Sequence, residues 1–398
     1  MLLGTSSIAW VQRKLGEVAK VYDGTHQTPK YVDAGVMFLS VENINTLKSE
    51  KFISEIDFSK EFKVSPEYGD VLMTRIGDIG TANVVRTHEK LAYYVSLALL
   101  KLTNSDSNFI VASIQSPYMQ VRLWERTLHV AFPKKINKGE IENIVLHTPN
   151  NSEQATIGNF FRTLDNTITL LKRKVDGLKH LKKAYLQQMF PQAGESVPKV
   201  RFAGFSEDWK EVKLGEIADI ISGGTPDTAI KEYWGGNIDW YSPFEIAEQI
   251  FVANSQKKIT SLGLQKSSAK VLPVGAVLFT SRAGIGNTAI LAKEGATNQG
   301  FQSIVPFQKI LDTYFIYSRT HELKRYGTLT GAGSTFVEVS GKQMSNMPIL
   351  IPAFSEQVII GIFFRNLDMQ IIAQSDKLKQ MKRLKSAYYP RAGEPRQR

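Results

Sequence analysis

One long segment of this chain occurs twice, and this repetition limits the possible folds more than any other feature of the sequence. Residues 152 to 190 return from Ser355 onward, and about half of roughly thirty-five aligned positions are identical when Ser152 is placed on Ser355. The shared residues include Ser-Glu-Gln, Ile-Gly-x-Phe-Phe-Arg, Leu-Asp and a final Lys-x-Leu-Lys-x-Ala-Tyr. Identity of this extent indicates an internal duplication.

Apolar residues in both copies recur at alternating steps of four and three, which is the spacing of a coiled-coil seam. The first seam comprises Ile157, Phe161, Leu164, Ile168, Leu171, Val175 and Leu178. The second seam comprises Ile360, Phe364, Leu367, Ile371, Leu378 and Met381, with Gln374 as a polar interruption. Because so narrow a stripe cannot be buried in a globular core, each copy is predicted to be a helix of roughly 50 Å that pairs antiparallel with the other copy.

Both helices are predicted to begin in the same way. A proline is followed by a serine that can act as the N-cap, Ser152 in the first copy and Ser355 in the second, with Glu and Gln in the first turn. Both are predicted to end at a proline, Pro191 and Pro390.

The globular part ahead of each helix also opens alike, because Trp10 and a following Lys-Leu-Gly-Glu match Trp209 and the same four residues. Residues 69–85 and 275–291 both indicate a strand, a glycine-rich turn and a second strand. We therefore predict an α+β chain in which two mixed α/β domains are separated by two long antiparallel coiled-coil helices, as an internal pseudo-two-fold duplication. The predicted segments are a first domain (1–149), a helix (150–190), a linker (191–207), a second domain (208–352), a second helix (353–390) and a tail (391–398).

Composition limits the function. The chain has 398 residues, a net charge of +11 and no cysteine, so an anionic partner is favoured and neither a disulfide nor a thiolate metal site can form. The six histidines lack metal-ligand spacing, and there is no phosphate loop ending in Gly-Lys-Ser/Thr and no Asn-Pro-Pro-Tyr-like methyltransferase motif. We therefore expect no catalytic site and no metal. Since no apolar run has membrane-spanning length, we expect a cytoplasmic protein without membrane contact.

Several pieces of the sequence are typical of one family. They are SGGTPDTAIKEYWGGNIDWYSPFEI (222–246), TSRAGIGNTAI (280–290), and the helix starts PNNSEQ and PAFSEQ. Together with the domain order, they make the chain resemble a specificity subunit of a type I restriction-modification system.

The resemblance implies a non-catalytic protein in which each globular domain recognises one half of a split sequence in double-stranded DNA. The helices would set the gap between the halves and would dock two methyltransferase (modification) subunits. No cofactor is implied on this chain. S-adenosylmethionine, ATP and Mg would be bound by partner subunits, namely the modification subunits and the restriction (translocase-nuclease) subunits.

Candidate DNA contacts follow from residue type and place. Arg75 and Arg282 are expected at equivalent strand ends beside glycine turns, where a backbone can approach DNA, although an arginine there can also simply cap the turn. Other polar candidates for phosphate or base-edge contacts are Thr225, Ser281, Asn298 and Gln299 in the second domain and Gln27, Lys30, Asn83 and Arg86 in the first. Because the first domain has Gly-Thr-His-Gln-Thr-Pro where the second has Gly-Gly-Thr-Pro, the two half-sites are expected to differ.

Three alternatives stay open at this point. The chain is also compatible with a specificity chain for a fused methyltransferase-nuclease and with an orphan or silent copy. From another class, a coiled-coil scaffold with basic ends would explain the helices without any DNA recognition.

Overall fold

A computed structural model describes residues 10–246, 249–282, 284–331 and 338–389. The chain divides into two compact units, one comprising residues 1–173 and 375–398 and the other residues 174–374. Both long helices cross this division, so each unit contains one globular domain and one half of each long helix. The predicted tail (391–398) and the predicted helix end at Pro390 lie outside the described residues.

The first unit begins with strands and ends in the first long helix. Its elements are β1 (Val11–Lys14), α1 (Leu15–Val18), β2 (Ala19–Asp23), β3 (Val36–Leu39), β4 (Phe52–Ile53), α2 (Glu55–Glu61), β5 (Val71–Thr74), β6 (Ala82–Val84), β7 (Leu91–Tyr93), β8 (Leu97–Leu102), α3 (Ser107–Ile114), α4 (Pro117–Glu125), α5 (Lys138–Glu142), β9 (Val145–Thr148) and α6 (Asn151–Gln188).

A four-stranded antiparallel sheet in the order β2-β8-β5-β6 forms the centre of the first unit. Successive side chains of β5 alternate between its faces, so Val71 belongs to the same core cluster as Phe109 of α3, while Leu72 belongs to the cluster of Phe38 of β3. Burial on both faces explains why every residue of β5 is apolar except its last. A three-stranded sheet, β4-β3-β7, and the antiparallel pair of β1 with β9 complete the unit.

The second unit repeats this plan. Its elements are β10 (Lys210–Lys213), α7 (Leu214–Ile217), β11 (Ala218–Ser222), β12 (Trp234–Tyr241), β13 (Phe251–Val252), β14 (Lys257–Ile259), α8 (Ser261–Gln265), β15 (Val277–Phe279), β16 (Thr288–Leu291), β17 (Ala296–Thr297), β18 (Gln302–Pro306), α9 (Thr313–Ser318), α10 (Thr320–Gly331), α11 (Gly341–Ser345), β19 (Pro348–Ile351) and α12 (Phe354–Tyr388).

The sheets of the second unit have the order β11-β18-β15-β16-β13, β14-β12-β17 and β10-β19. The first two repeat the orders of the first unit, with the short strand β13 added parallel to β16 at one edge. Parallel pairs also occur between β3 and β7 and between β12 and β17, so the sheets are mixed. The predicted fold class is therefore confirmed, including its duplication.

Within the first unit, the beginning of α6 packs antiparallel against the end of α12. The ring of Phe160 lies 5.6 Å from that of Tyr388, and the ring of Phe161 lies 5.2 Å from that of Tyr389. One turn further along α6, Asp165 Oδ1 accepts a hydrogen bond of 2.5 Å from Lys385 Nζ.

Within the second unit, the end of α6 meets the beginning of α12 in the same way. Lys182 Nζ donates to Asp368 Oδ1 at 2.6 Å, and the ring of Tyr185 lies 5.0 Å from that of Phe363. In the aligned repeats Lys182 corresponds to Lys385, and Asp165 corresponds to Asp368. Each unit therefore joins the lysine of one copy to the aspartate of the other, as an antiparallel pair of related helices requires.

The glutamine of each Ser-Glu-Gln sequence fastens the long helix to its domain. Gln154 is 3% exposed, its Nε2 donates to Pro149 O at 2.9 Å, and its Oε1 accepts from Asp106 N at 3.1 Å. Gln357, which is 1% exposed, accepts from Asp312 N at the same distance of 3.1 Å. A buried amide without these partners would cost about 1–3 kcal/mol, so the repeated motif is structural.

The glycine that follows in each repeat is required by a close approach. A Cβ atom on Gly158 would lie 2.2 Å from Asp106 Oδ1, and one on Gly361 would lie 2.3 Å from Asp312 Oδ1. These two aspartates cap α3 and α9. Burial raises the pKa of Asp312 above its usual value, against the opposing effect of the backbone N–H groups that it caps.

The prediction that Ser152 caps the first long helix is wrong. Asn150 Oδ1 accepts from Glu153 N at 3.0 Å, so the asparagine is the cap and Ser152 lies in the first turn. Ser355 likewise lies inside α12, which begins at Phe354. Asparagine and serine are about equally good N-caps, and the sequence offered both within three residues.

None of the helices within the described ranges combines the length and the apolar character that a membrane crossing needs.

Candidate nucleic-acid interface

Loops at one end of the main sheet of the second unit bring most of its candidate residues together. A Cβ atom on Gly223 would lie 2.0 Å from Asn298 O, so only glycine lets the loop after β11 pass so close to the loop after β17. Next to this contact, Thr225 Oγ1 donates to Gln299 Oε1. Gly-Gly-Thr-Pro thus serves to place a hydroxyl beside an amide.

Arg282 lies beside the same loops. A Cβ atom on Gly300 would lie 3.6 Å from Arg282 Nε and 3.0 Å from Asn298 Oδ1, which makes the three residues neighbours. The Arg282 side chain is 40% exposed and its Nη1 is 4.0 Å from Glu338 Oε2. An exposed pair at this distance contributes at most about 1 kcal/mol, so the guanidinium is free to exchange the carboxylate for a phosphate.

Asn298 and Gln299 present amide groups at this place. Asn298 Oδ1 accepts from Gly300 N at 2.8 Å, whereas its Nδ2 and the Nε2 of Gln299 have no partner among the described residues. Amide donors of this kind can hydrogen bond to the edge of a base.

Ser281 is not presented to a ligand. Its side chain is 0% exposed and its Oγ is buried, without a hydrogen-bond partner in the described part of the chain. This position contradicts the expectation of a DNA contact, because the hydroxyl points into the unit.

Arg75 in the first unit is also buried. Its Nη1 donates to the carboxylate of Asp23, its Nε donates to Ile136 O at 3.1 Å, and its side chain is 7% exposed. The guanidinium therefore holds two segments of the domain together. This contradicts the expectation that Arg75 presents its charge to DNA. The side-chain acceptors lie in the segments of Asp23 and Ile136 and not in the glycine turn, so Arg75 does not cap the turn either.

The reason is a register difference of one residue. Arg75 N donates to Ser96 O at 2.9 Å, and Ser281 N makes the corresponding bond to Gly300 O at 2.8 Å. Arg75 thus matches Ser281, and the place of Arg282 is taken in the first unit by an isoleucine. The expectation that the two arginines are equivalent is wrong, since adjacent residues of an extended chain point to opposite faces.

The remaining candidates of the first unit differ in their exposure and in their hydrogen bonds. Gln27 and Lys30 are exposed. Asn83 is half-buried and donates to two loop carbonyls at 3.0 and 3.2 Å, so its amide is structural. Arg86 is exposed and donates to Asn108 Oδ1, a contact that leaves other guanidinium hydrogens available.

Two residues that the sequence reasoning missed are fully exposed phenylalanines, one in each unit. Phe132 is 103% exposed and Phe244 is 94% exposed. Neither belongs to a periodic apolar pattern, so periodicity could not find them. The available signals were their neighbours, two lysines after Phe132 and a Ser-Pro-Phe-Glu turn around Phe244.

A buried carboxylate of β12 is held by several donors within the second unit. Asp239 accepts from Lys293 Nζ at 2.7 Å and from Ser255 N at 3.1 Å, and Lys258 Nζ lies 3.2 Å away. Burial by itself raises the pKa of Asp239, but these donors outweigh it and lower the pKa to about 2. Asp239 is thus ionised and fully paired. No group of three histidines and carboxylates among the described residues is placed to hold a metal.

The predicted seam residues lie on the sides of α6 and α12 that are covered within each unit. Those less than a tenth exposed are Phe161, Leu164, Leu171, Val175, Ile360, Phe364 and Leu367. Those half-buried are Ile157, Ile168, Leu178, Ile371, Leu378 and Met381, together with Gln374.

The duplicated domains define the class of the protein. A family model described as the type I restriction modification DNA specificity domain matches residues 8–180 and again residues 206–383. Since the two matches cover most of the chain, the chain belongs to this family, the specificity subunits of type I restriction-modification systems. The class is defined by DNA specificity and not by catalysis.

Individual relatives are similar over shorter stretches. The MjaIX specificity subunit of Methanocaldococcus jannaschii is 36% identical over 165 residues, which are 41% of this chain and 38% of that protein. The EcoR124I/EcoR124II specificity subunit of Escherichia coli is 28% identical over 158 residues, 38% of each. These alignments therefore span well under half the length of either relative.

A solved structure has the same fold over nearly its whole length. The type I restriction-modification system S subunit from M. genitalium aligns with a TM-score of 0.65, covering 97% of this chain and 96% of that one. At 14% identity, this likeness concerns the fold alone.

Proposed function

We propose that this chain is the non-catalytic subunit that gives a type I restriction-modification enzyme its DNA specificity, with each globular domain recognising one half of a bipartite, asymmetric target. The observation that carries the proposal is a duplicated domain whose loops differ at matching positions. The place of the exposed Arg282 is held by an isoleucine in the first domain, so the two domains offer different groups to DNA.

Recognition would rest on exposed side chains around the loops described above. In the second domain Arg282 supplies charge for a phosphate or a guanine edge, and Asn298 and Gln299 supply amide donors for base edges. In the first domain Gln27, Lys30 and Arg86 occupy the surface. The net charge of +11 favours approach to duplex DNA in a salt-dependent way.

The two long helices would set the gap between the half-sites. Helix α6 has 38 residues and α12 has 35, which correspond to about 57 and 52 Å. Major-groove faces on one side of DNA recur about every 34 Å, so half-sites centred about one helical turn apart fit helices of this length after allowance for their overlap with the domains.

The exposed side of α12 supports docking of a methyltransferase subunit. Ile359, Ile362, Met369 and Ile372 lie at helical spacing and are 37–54% exposed. At the aligned positions of α6 the residues are polar, namely Thr156, Asn159, Asn166 and Thr169. A free apolar stripe is costly in water, so a partner helix that covers it would gain about 1 kcal/mol per side chain.

The complete assembly would contain two methyltransferase subunits, which bind S-adenosylmethionine, and restriction subunits that use ATP and Mg. Neither cofactor has to bind this chain. Because the proposed ligand is genomic DNA, the proposed place of action is the cytoplasm.

The testing experiment is a methylome. The chain is expressed with the methyltransferase encoded beside it in a host that lacks DNA modification, and methylated bases are mapped by single-molecule sequencing. A split asymmetric motif with a fixed gap is expected. Exchange of residues 208–345 for those of another specificity chain should then change one half of the motif and leave the other half unchanged.

The gap is tested separately. Seven residues inserted at facing positions of both helices keep the seam in register and should lengthen the gap by about three base pairs, since seven helical residues span about 10.5 Å. A folded complex that produces no methylated motif would refute the proposal. A motif whose gap ignores the insertion would refute only the role of the helices.

A further inference from the structure

A short hairpin projects from the first unit between α4 and α5. It is closed by Leu128 N, which donates to Lys135 O at 2.7 Å. At its tip, Val130 is 98% exposed and Phe132 is 103% exposed. Both apolar side chains are thus almost fully exposed to solvent, so they contribute no hydrophobic stabilisation to the folded unit.

The hairpin is fastened to the glycine turn that follows β5. Gly77 N donates to Lys134 O at 2.8 Å, and Ile136 N donates to Arg75 O at 3.0 Å. This turn corresponds to the loop that carries Arg282 in the second unit. The tip therefore lies beside the glycine turn of the first unit. In the second unit the corresponding loop is the one around which the candidate interface is best defined.

The base of the hairpin is aromatic and positively charged. The ring of His129 lies 4.3 Å from that of Trp124, and Lys134 Nζ lies 4.4 Å from the centroid of the Trp124 ring. Within the described part of the chain, neither Lys134 nor Lys135 forms an ion pair with a carboxylate. An exposed apolar tip followed by two such cations suits a partner that is anionic at its surface and apolar inside.

The second unit holds an exposed phenylalanine at its own candidate interface, but on a different loop. Phe244, 94% exposed, lies in the 3-10 turn Pro243–Glu245, and Glu245 Oε2 accepts from Ser242 N at 3.0 Å to fix that turn. A Cβ atom on Gly300 would lie 3.1 Å from Pro243 Cγ, which puts the turn next to the loop of Arg282.

An exposed ring followed by two unpaired cations, as at Phe132, fits DNA better than it fits a protein surface. Phe244 lies next to the loop of Arg282, whose side chain is 40% exposed and only loosely paired with Glu338. Stable protein interfaces bury about 800 Å² on each side, and their apolar anchors sit inside a broad patch. Apolar wedges inserted between base steps are single exposed side chains, and cations next to them neutralise the phosphates that the wedge approaches.

On the basis of the proposed DNA-reading function, we propose that Phe132 and Phe244 are apolar wedges, each of which inserts between neighbouring base pairs of the half-site read by its own domain. Unstacking at these two steps would add specificity, since pyrimidine–purine steps open more easily than others. The wedges would thus favour DNA sequences that deform easily at base steps where no hydrogen bond from the protein reads the bases.

The test uses the complex of the full chain with its methyltransferase and a duplex carrying the methylated motif. 2-Aminopurine replaces one base at a time, always away from the methylated base, and fluorescence reports unstacking. With the unaltered chain, fluorescence should rise several-fold at one step in each half-site. Phe132→Ala should abolish the rise in one half and Phe244→Ala in the other, each with about tenfold weaker binding.

Conservative and distant substitutions complete the design. Phe132→Leu, which keeps an apolar wedge, should retain most of the signal, and Ile56→Ala, at an 80% exposed residue of α2, should change nothing. The proposal would be overturned if the alanine variants gave the same rise in 2-aminopurine fluorescence and the same DNA affinity as the unaltered chain. It would also be overturned if they weakened only the assembly with the methyltransferase. Absence of any methylated motif would instead refute the proposed function itself.

Discussion

The crossed lysine–aspartate pairs allow a stability prediction with an internal control. In the second unit, Asp368 has a side chain 7% exposed and is held by Lys182 at 2.6 Å and by the hydroxyl of Tyr314 at 2.9 Å. In the first unit, the matching Asp165 is 43% exposed and is held by Lys385 at 2.5 Å. The perturbation is Lys182→Met, compared with Lys385→Met at the corresponding position.

The expected magnitudes follow from exposure. Removing one partner of a buried ion pair costs about 3–5 kcal/mol, but Lys182 is 27% exposed and Tyr314 still donates to Asp368, so we expect a loss of about 2 kcal/mol. Asp165 and the second acceptor of Lys385, Gln115 Oε1 at 3.1 Å, can both be hydrated once Lys385 is gone, so we expect a loss of about 1 kcal/mol. For a unit of this size, the first loss corresponds to a fall of about 4–8 °C in Tm.

The assay is calorimetry together with hydrogen exchange, which reports separately on amides of 174–374 and of 1–173. Lys182→Met should lower protection in its own unit, and adding Asp368→Asn should restore most of it, because an amide accepts from Tyr314 without a buried charge. Equal losses for the two lysine variants, or no restoration by the double variant, would refute the reasoning from burial.

Three further predictions concern single residues. Gly361→Ala should destabilise the second unit by about 2 kcal/mol through its clash with the cap of α9, whereas Gly177→Ala, with nothing within 4 Å, should stabilise α6 by up to about 1 kcal/mol in urea unfolding. Because the pKa of Asp239 is lowered from 3.8 to about 2, its contribution is fully present above pH 3.8 and lost as pH falls through about 2. Asp239→Asn should remove about 2 kcal/mol of that acid dependence from urea midpoints between pH 5 and 2. Arg282→Ala should weaken DNA binding about tenfold without changing Tm, and Arg75→Ala should lower Tm by several degrees.

Each of these has a clear contrary result. The first fails if both glycine variants change stability alike, and the second if the variant keeps the acid slope of the unaltered chain. The third fails if Arg282→Ala unfolds the domain or if Arg75→Ala leaves Tm unchanged, because either result would contradict the assignment of one arginine to the surface and the other to the core.

Much of the fold could be predicted because duplication and seam spacing are local patterns. The spacing of Ile157, Phe161 and Leu164 along the chain repeats in the second copy. Apolar stripes this narrow can be covered only by each other. The Ser-Glu-Gln motif is visible in the sequence, but its structural role is not. Its glutamine is buried against a domain loop, a contact that joins residues almost fifty positions apart, as Gln154 and Asp106 show.

What the sequence by itself determined is the duplication, the antiparallel helix pair and the two mixed domains, since each depends on patterns of apolar residues that survive in one dimension. What only the tertiary structure decided is which polar side chains face outward. Arg75 and Arg282 stand beside similar glycine turns, yet a shift of one residue in register buries the first and exposes the second. The exposed Phe132 and Phe244 belong to the same category, because exposure depends on packing by distant segments and not on neighbours in sequence.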